Sequence, residues 1–161
     1  MVSLKTIILS FISIAAFHII ATIFHWYWLI RWLDIPMHFI GGVFVTLVFY
    51  WLFERIFPHH FNIHHSFWTT LLFVLGWVAL IGVLLELMEF SLDVCFIHKS
   101  LSVMQQQGLR DTMGDLCMDL LGGMILAFFM KIWYNKKSKI KEEKHYAEEE
   151  TISLHNHSGI Q

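Results

Sequence analysis

The chain has few charged residues, few cysteines and no cleavage site after its first apolar run. Only 15% of its 161 residues are charged and 57% are hydrophobic, which leaves too little polar surface for a soluble domain of this size. Two cysteines, Cys95 and Cys117, are too few for a disulfide framework. The first apolar run is too long for a signal peptide, and no small-residue cleavage site follows it. These shortages favour an integral membrane protein.

Four apolar runs are long enough to cross a bilayer, for which about 20 residues suffice. They are Ile7–Ile30, Ile35–Phe57, Phe67–Phe90 and Asp111–Trp133. We therefore predict an all-α, polytopic membrane protein with four transmembrane helices within residues 1–135. Residues 136–161 are charged and polar, and we expect a cytoplasmic tail that is disordered, or else a surface helix, with no core of its own.

Positive charge marks the cytoplasmic side of a membrane protein, and most of it lies at the end of the last span. Six lysines cluster there: Lys131, Lys136, Lys137, Lys139, Lys141 and Lys144. If both termini are inside, Lys5 and Arg55 join these six, whereas three basic residues lie outside: Arg31, Lys99 and Arg110. The charge distribution therefore predicts an N-in/C-in topology. We expect membrane lipids and a second copy of the chain as partners, and no nucleic acid.

Two segments that lie 81 residues apart share one pattern. In each, an aspartate is followed four residues later by a second metal-capable side chain and then by a Gly-Gly pair: Asp34, His38, Gly41-Gly42 and Asp115, Asp119, Gly122-Gly123. Both segments would run from the outside to the inside. The repeat therefore predicts two related helices that are parallel to one another.

Three groups of metal-capable side chains would meet at the outer end of the spans. They are Asp34 and His38 at the start of the second, Glu86 and Glu89 at the end of the third, and Asp111, Asp115 and Asp119 at the start of the fourth. Helical spacing puts the members of each group on one face. A charged group at mid-depth of the membrane costs about 2.5–3.5 kcal/mol on insertion scales. Because all three groups would lie at the same membrane depth, which their spacing alone does not require, we predict that they form one site.

Facing carboxylates cannot all stay ionised without cations, and three explanations remain open. A divalent Mg, Mn, Zn or Fe ion could bind, with all seven residues as candidate ligands. The carboxyls could instead share protons, or form interhelical hydrogen bonds only. Asp34 and Asp111 lie where helix caps lie, so capping and ligation are equally open for them. We favour a metal ion. The first copy of the repeat has His38 where the second copy has Asp119, so the site would offer both nitrogen and oxygen ligand atoms.

The other histidines are weaker candidates. We expect His18 to contact a neighbouring helix and His25 to form an ordinary hydrogen bond near the interface. Four more histidines lie between the second and third spans, where a solvated loop is the simplest interpretation: His59, His60, His64 and His65.

The order of these motifs resembles that of small bacterial inner-membrane proteins of the DUF2238 and VanZ-like families. It is Asp34-x3-His38-x2-Gly-Gly, then Glu86-x2-Glu89, then Asp111-x3-Asp115-x3-Asp119-x2-Gly-Gly. The resemblance covers most of residues 25–130 and implies a multi-pass protein of the bacterial inner membrane. The Asp-x3-Asp spacing is also similar to part of the CDP-alcohol phosphotransferase motif, whose aspartates bind divalent metals, but the upstream Asp-Gly and Ala-Arg elements are missing.

We expect metal-dependent chemistry on a lipid or envelope-precursor headgroup, in which the metal orients a phosphate or activates a water. The candidate catalytic residues are Asp115, Asp119, Glu86 and Glu89. One alternative is a proton- or cation-coupled transporter that uses the same acids as a relay. The other is a non-catalytic membrane subunit or envelope-stress factor whose acids only lock the bundle, so enzymatic activity stays open.

Overall fold

A computed structural model describes residues 2–56, 66–96 and 108–158, and every regular element in these ranges is helical. The helices are α1 (Leu4–Ile23), α2 (Trp26–Leu29), α3 (Asp34–Arg55), α4 (Phe67–Phe96) and α5 (Leu109–Ser158). All but α2 are long and apolar enough to cross a membrane. The predicted all-α fold with four spans is therefore confirmed. The loop with His59, His60, His64 and His65 lies outside the described residues.

The first predicted span is too long at its C-terminal end, because α1 ends at Ile23 and not at Ile30. His25 adopts a left-handed conformation with φ 57°, which a right-handed helix cannot continue through. The amide of Phe24 donates to the carbonyl of Ile20 at 3.0 Å and closes the last turn of α1. The chain then restarts as the single helical turn α2.

The chain divides into two compact units, Met1–Ala127 and Phe128–Gln161. In the first unit, α3 packs against both α1 and α4. Phe49 lies at the centre of this core, stacked on Phe53 with ring centroids 4.3 Å apart and close to Trp77 at 6.4 Å. On α1, Ala21 is the buried residue and most apolar side chains are exposed, as expected of a helix that faces lipid.

Two glycines allow α3 and α5 to approach backbone to backbone. A Cβ atom at Gly42 would lie 2.8 Å from the Cα atom of Asp119, and one at Gly122 would overlap the carbonyl oxygen of Phe39. Side chains do not come this close to a neighbouring backbone, so only glycine fits at these positions. Small residues that bring helices together in this way are typical of membrane bundles.

The contacts also give the directions of the helices. From Gly42 to Thr46 along α3, the neighbouring residue on α5 advances from Asp119 to Gly123. The helices α3 and α5 are therefore parallel to one another, as the repeat predicts. Gly123 contacts Val78 on α4, whereas Asp119 contacts the later residue Gly82, so α4 runs antiparallel to α5.

The second unit contains the rest of α5 up to Ser158. Residues 136–158 continue the helix α5. Residues 135–148 are all exposed, so this part of the helix has no core of its own. The ammonium group of Lys137 lies 5.2 Å from the ring centroid of Trp133, at a distance typical of a cation–π contact.

Candidate metal centre

His38 lies between three carboxylates, and both of its ring nitrogens face acids. Nε2 lies 3.8 Å from Oδ1 of Asp34 and 4.0 Å from Oδ1 of Asp115. Nδ1 lies 3.4 Å from Oδ2 of Asp119, within hydrogen-bond distance. The His38 side chain is only 10% exposed, so these carboxylates replace much of its contact with solvent.

Three of these residues form a group that could hold one ion, which we call the Asp–His–Asp triad: Asp34, His38 and Asp115. Each offers one ligand atom, and the three atoms all lie within 4.8 Å of one another. A divalent ion with bonds of about 2.0–2.2 Å holds opposite ligand atoms roughly 4.4 Å apart at most. Small side-chain movements would therefore bring all three atoms into one coordination shell.

The start of α3 explains why Asp34 takes part. Asp34 is the first helical residue, and the cap position belongs to Leu33, which makes no side-chain capping hydrogen bond. The Asp34 carboxylate faces His38, one helical turn further along. Asp34 is thus not the N-cap residue of α3, and its carboxylate is directed at His38.

The carboxylates of Glu86, Glu89 and Asp111 lie close enough to the triad to interact with it electrostatically. Glu89 interacts electrostatically with all three of its members. Glu86 and Asp111 both repel the two aspartates of the triad. Glu86 is only 5% exposed, so its charge is poorly screened by solvent. The structure thus gathers the seven residues that the sequence singles out, and six of these seven are carboxylates.

Asp119 occupies a small cradle made by glycines of two other helices. A Cβ atom at Gly41 on α3 would lie 3.5 Å from Oδ1 of Asp119, and one at Gly82 on α4 would lie 2.9 Å from Oδ2. Asp119 is 4% exposed. Its carboxylate therefore reaches His38 from a tightly packed meeting point of α3, α4 and α5.

Sequence reasoning missed Tyr27. Its hydroxyl lies 2.8 Å from Nδ1 of His18, so the helix that His18 contacts is α2. Burial, together with the negative charges of Asp34 and Glu89, raises the pKa of Tyr27 to about 12. The phenol therefore keeps its proton beside the acidic site. Tyr27 reaches this position because the helix is interrupted at His25, and no pattern of apolar residues in the sequence reveals that interruption.

One comparison with known proteins identifies the class of protein. A sequence model described as "predicted membrane protein (DUF2238)" matches residues 2–136, which include every residue of the site. No curated protein and no solved structure matches the chain. The likeness to VanZ-like proteins stays a prediction. The chain is an integral membrane protein, and it belongs to the DUF2238 family of predicted membrane proteins.

Proposed function

We propose that the protein is a metal-dependent enzyme that acts on the phosphate-containing headgroup of a lipid or envelope precursor. The Asp–His–Asp triad would hold the ion near the outer face of a bacterial inner membrane, with both chain termini inside. The observation that carries the proposal is the convergence of one imidazole and two carboxylates within 4.8 Å.

The chemistry of the triad supports a catalytic ion over a structural one. Structural sites usually fill the coordination shell with protein ligands, whereas catalytic sites combine three protein ligands with an open position. Imidazole and carboxylate together suit Zn²⁺, Mn²⁺ or Fe²⁺, and a carboxylate-rich site with bound waters suits Mg²⁺. The open positions would accept a water molecule and a phosphate oxygen.

The surrounding acids support a role in proton transfer. Glu89 interacts electrostatically with the whole triad but is not a member of it. A carboxylate in that position would act as general base toward a metal-bound water, or as a further ligand. Glu86 has the same two roles open to it, and Asp111 would add negative charge that attracts the cation.

The depth of the site favours a headgroup as substrate. Asp34 is the first residue of α3, and Asp115 lies six residues after the start of α5, or about 9 Å along the helix axis. The triad therefore lies within about two turns of the helix ends, where the phosphates of lipids meet the hydrocarbon region. The six lysines later in α5, from Lys131 to Lys144, support an outward-facing site, because positive charge marks the cytoplasmic side.

Elemental analysis of the purified protein tests the ion directly. We expect about one equivalent of a divalent metal in the wild type, and its loss in Asp115→Asn, which keeps the size of the side chain but removes a ligand. Glu54→Gln is the matched control, since it makes the same change about 30 Å further along α3 than Asp34. A wild type without metal after metal supplementation, or metal retained in Asp115→Asn, contradicts the proposed site.

Turnover needs a second assay, with radiolabelled phospholipids in proteoliposomes. We expect metal-dependent release or transfer of the labelled headgroup by the wild type and Glu54→Gln, but not by Asp115→Asn. Cation or proton flux without headgroup turnover would favour the transporter instead. If acid-to-amide changes lower only the stability in detergent, the acids merely lock the bundle.

A further inference from the structure

The two ring nitrogens of His38 face different environments. Nε2 points to the two aspartates of the triad, at 3.8 and 4.0 Å, whereas Nδ1 faces Asp119 alone, at 3.4 Å. A neutral imidazole has one nitrogen that donates and one that accepts. Only the accepting nitrogen can bind a metal ion. The hydrogen bond at Nδ1 therefore decides whether Nε2 is available to the triad.

Close packing against glycines of the neighbouring helices holds Asp119 in this position. Its carboxylate lies between Gly41 and Gly82, and its backbone lies against Gly42. A Cβ atom at Gly82 would crowd the carboxylate and one at Gly42 would clash with the backbone of Asp119, whereas one at Gly41 would lie in ordinary contact with it. Three glycines on two helices thus leave Asp119 room to contact His38 and little room to turn away.

The internal repeat gives a second argument. His38 and Asp119 occupy equivalent positions in the two copies, 81 residues apart, and they contact each other across the interface of α3 and α5. The first copy thus supplies an imidazole and the second supplies a carboxylate at the same place. Such a pair matches the arrangement in which a metal-bound histidine donates its other N–H to a carboxylate.

We infer that Asp119 is a positioning residue, which accepts the Nδ1 hydrogen of His38 and thereby presents Nε2 to an ion shared with Asp34 and Asp115. This inference rests on the proposed metal site. It assigns Asp119 a role different from that of its neighbour Asp115, one helical turn away on the same face of α5. Asp119 acts on the ion through His38 and is not itself a ligand.

Titration of the purified protein with Co²⁺, followed by its visible absorption, tests this role. Loss of an orienting partner weakens metal binding by about 10–100-fold. We expect Asp119→Asn to fall near the lower value, because its amide oxygen still accepts the Nδ1 hydrogen, and Asp119→Ala near the upper one. The absorption bands of bound Co²⁺ should keep their positions in both variants, because the ligand set is unchanged.

Each outcome decides a different question. If the wild type binds no Co²⁺, the proposed metal site fails, and the role of Asp119 fails with it. If the wild type binds Co²⁺ and Asp119→Asn binds it equally well, the positioning role is overturned while the site stands. A shift of the absorption bands in Asp119→Asn would make Asp119 a direct ligand and would also overturn the inference.

Two glycine variants on α4 keep the test decisive if Asp119 itself cannot be replaced. Gly82→Ala removes no hydrogen bond but adds a methyl group 2.9 Å from Oδ2 of Asp119 and 3.0 Å from Leu116. We expect it to weaken Co²⁺ binding by about tenfold, with unchanged absorption bands. Gly76→Ala adds a methyl group that meets nothing within 4 Å and should bind Co²⁺ as the wild type does. Wild-type affinity in Gly82→Ala contradicts the inference.

Discussion

The contact between α3 and α5 predicts opposite effects for the same substitution at two positions of one helix. At Gly122, the methyl group of an alanine would overlap the carbonyl oxygen of Phe39 and lie 3.2 Å from the amide nitrogen of Val43. At Gly114, it would meet nothing within 4 Å. Both positions lie inside α5, so the two variants share the same gain in helix propensity and differ only in packing.

The size of the effect follows from these two contributions. Replacing glycine by alanine inside a helix stabilises it by about 0.5–1 kcal/mol, and Gly114→Ala should show this gain alone. Gly122→Ala must also push two backbones apart, and overpacking of this kind costs about 1–3 kcal/mol. We therefore expect the free energy of unfolding of Gly122→Ala to be about 1–3 kcal/mol below that of Gly114→Ala.

Reversible unfolding in mixed micelles, followed by circular dichroism, measures this difference. Gly122→Ala should also bind Co²⁺ more weakly than Gly114→Ala, because separation of α3 from α5 moves Asp115 away from His38. Equal unfolding free energies of the two variants would refute the close approach of the helices. Unequal stability with equal Co²⁺ affinity would show that the packing of Gly122 does not control the geometry of the triad.

Three further predictions concern metal and hydrogen bonds. Co²⁺ at about 100 times its dissociation constant should raise the free energy of unfolding of the wild type by about 2.7 kcal/mol, and that of Asp115→Asn not at all; equal gains would place the ion elsewhere. Tyr27→Phe loses the hydrogen bond to His18 and should lower the unfolding free energy by about 1 kcal/mol; an unchanged value would mean that this bond contributes nothing. The hydroxyl of Thr46 is fully buried and has no hydrogen-bond partner among the described residues, so Thr46→Val should raise the unfolding free energy by about 1 kcal/mol, and a lower value would reveal a hidden partner.

The sequence predicts the spans and the gathering of acids well, because both follow from the chain alone. Length and apolarity define the four long helices. Alternating spans then bring the end of α4 to the level where α3 and α5 begin, as the neighbours of Gly82 and Gly123 show. None of these steps requires knowledge of how side chains pack.

The different roles of the acids could not be predicted in this way. Asp115 and Asp119 are one turn apart on the same face of α5, so their spacing treats them alike. The packing of α3 against α5 distinguishes them, because Asp115 faces Nε2 of His38 and Asp119 faces Nδ1. Tyr27 escaped notice for a similar reason, since a single left-handed residue, His25, brings it to the site.

The difference between the two copies of the repeat explains why a symmetric arrangement would not work. The equivalent positions 38 and 119 face each other across α3 and α5, so an exact repeat would place two aspartates or two histidines about 3.4 Å apart. Two carboxylates at that distance repel by on the order of 5 kcal/mol at an effective dielectric constant of about 20. Two histidines would leave no carboxylate to accept the Nδ1 hydrogen. His38 opposite Asp119 avoids both problems, because it turns the repulsive contact into a hydrogen bond and leaves Nε2 facing the remaining acids.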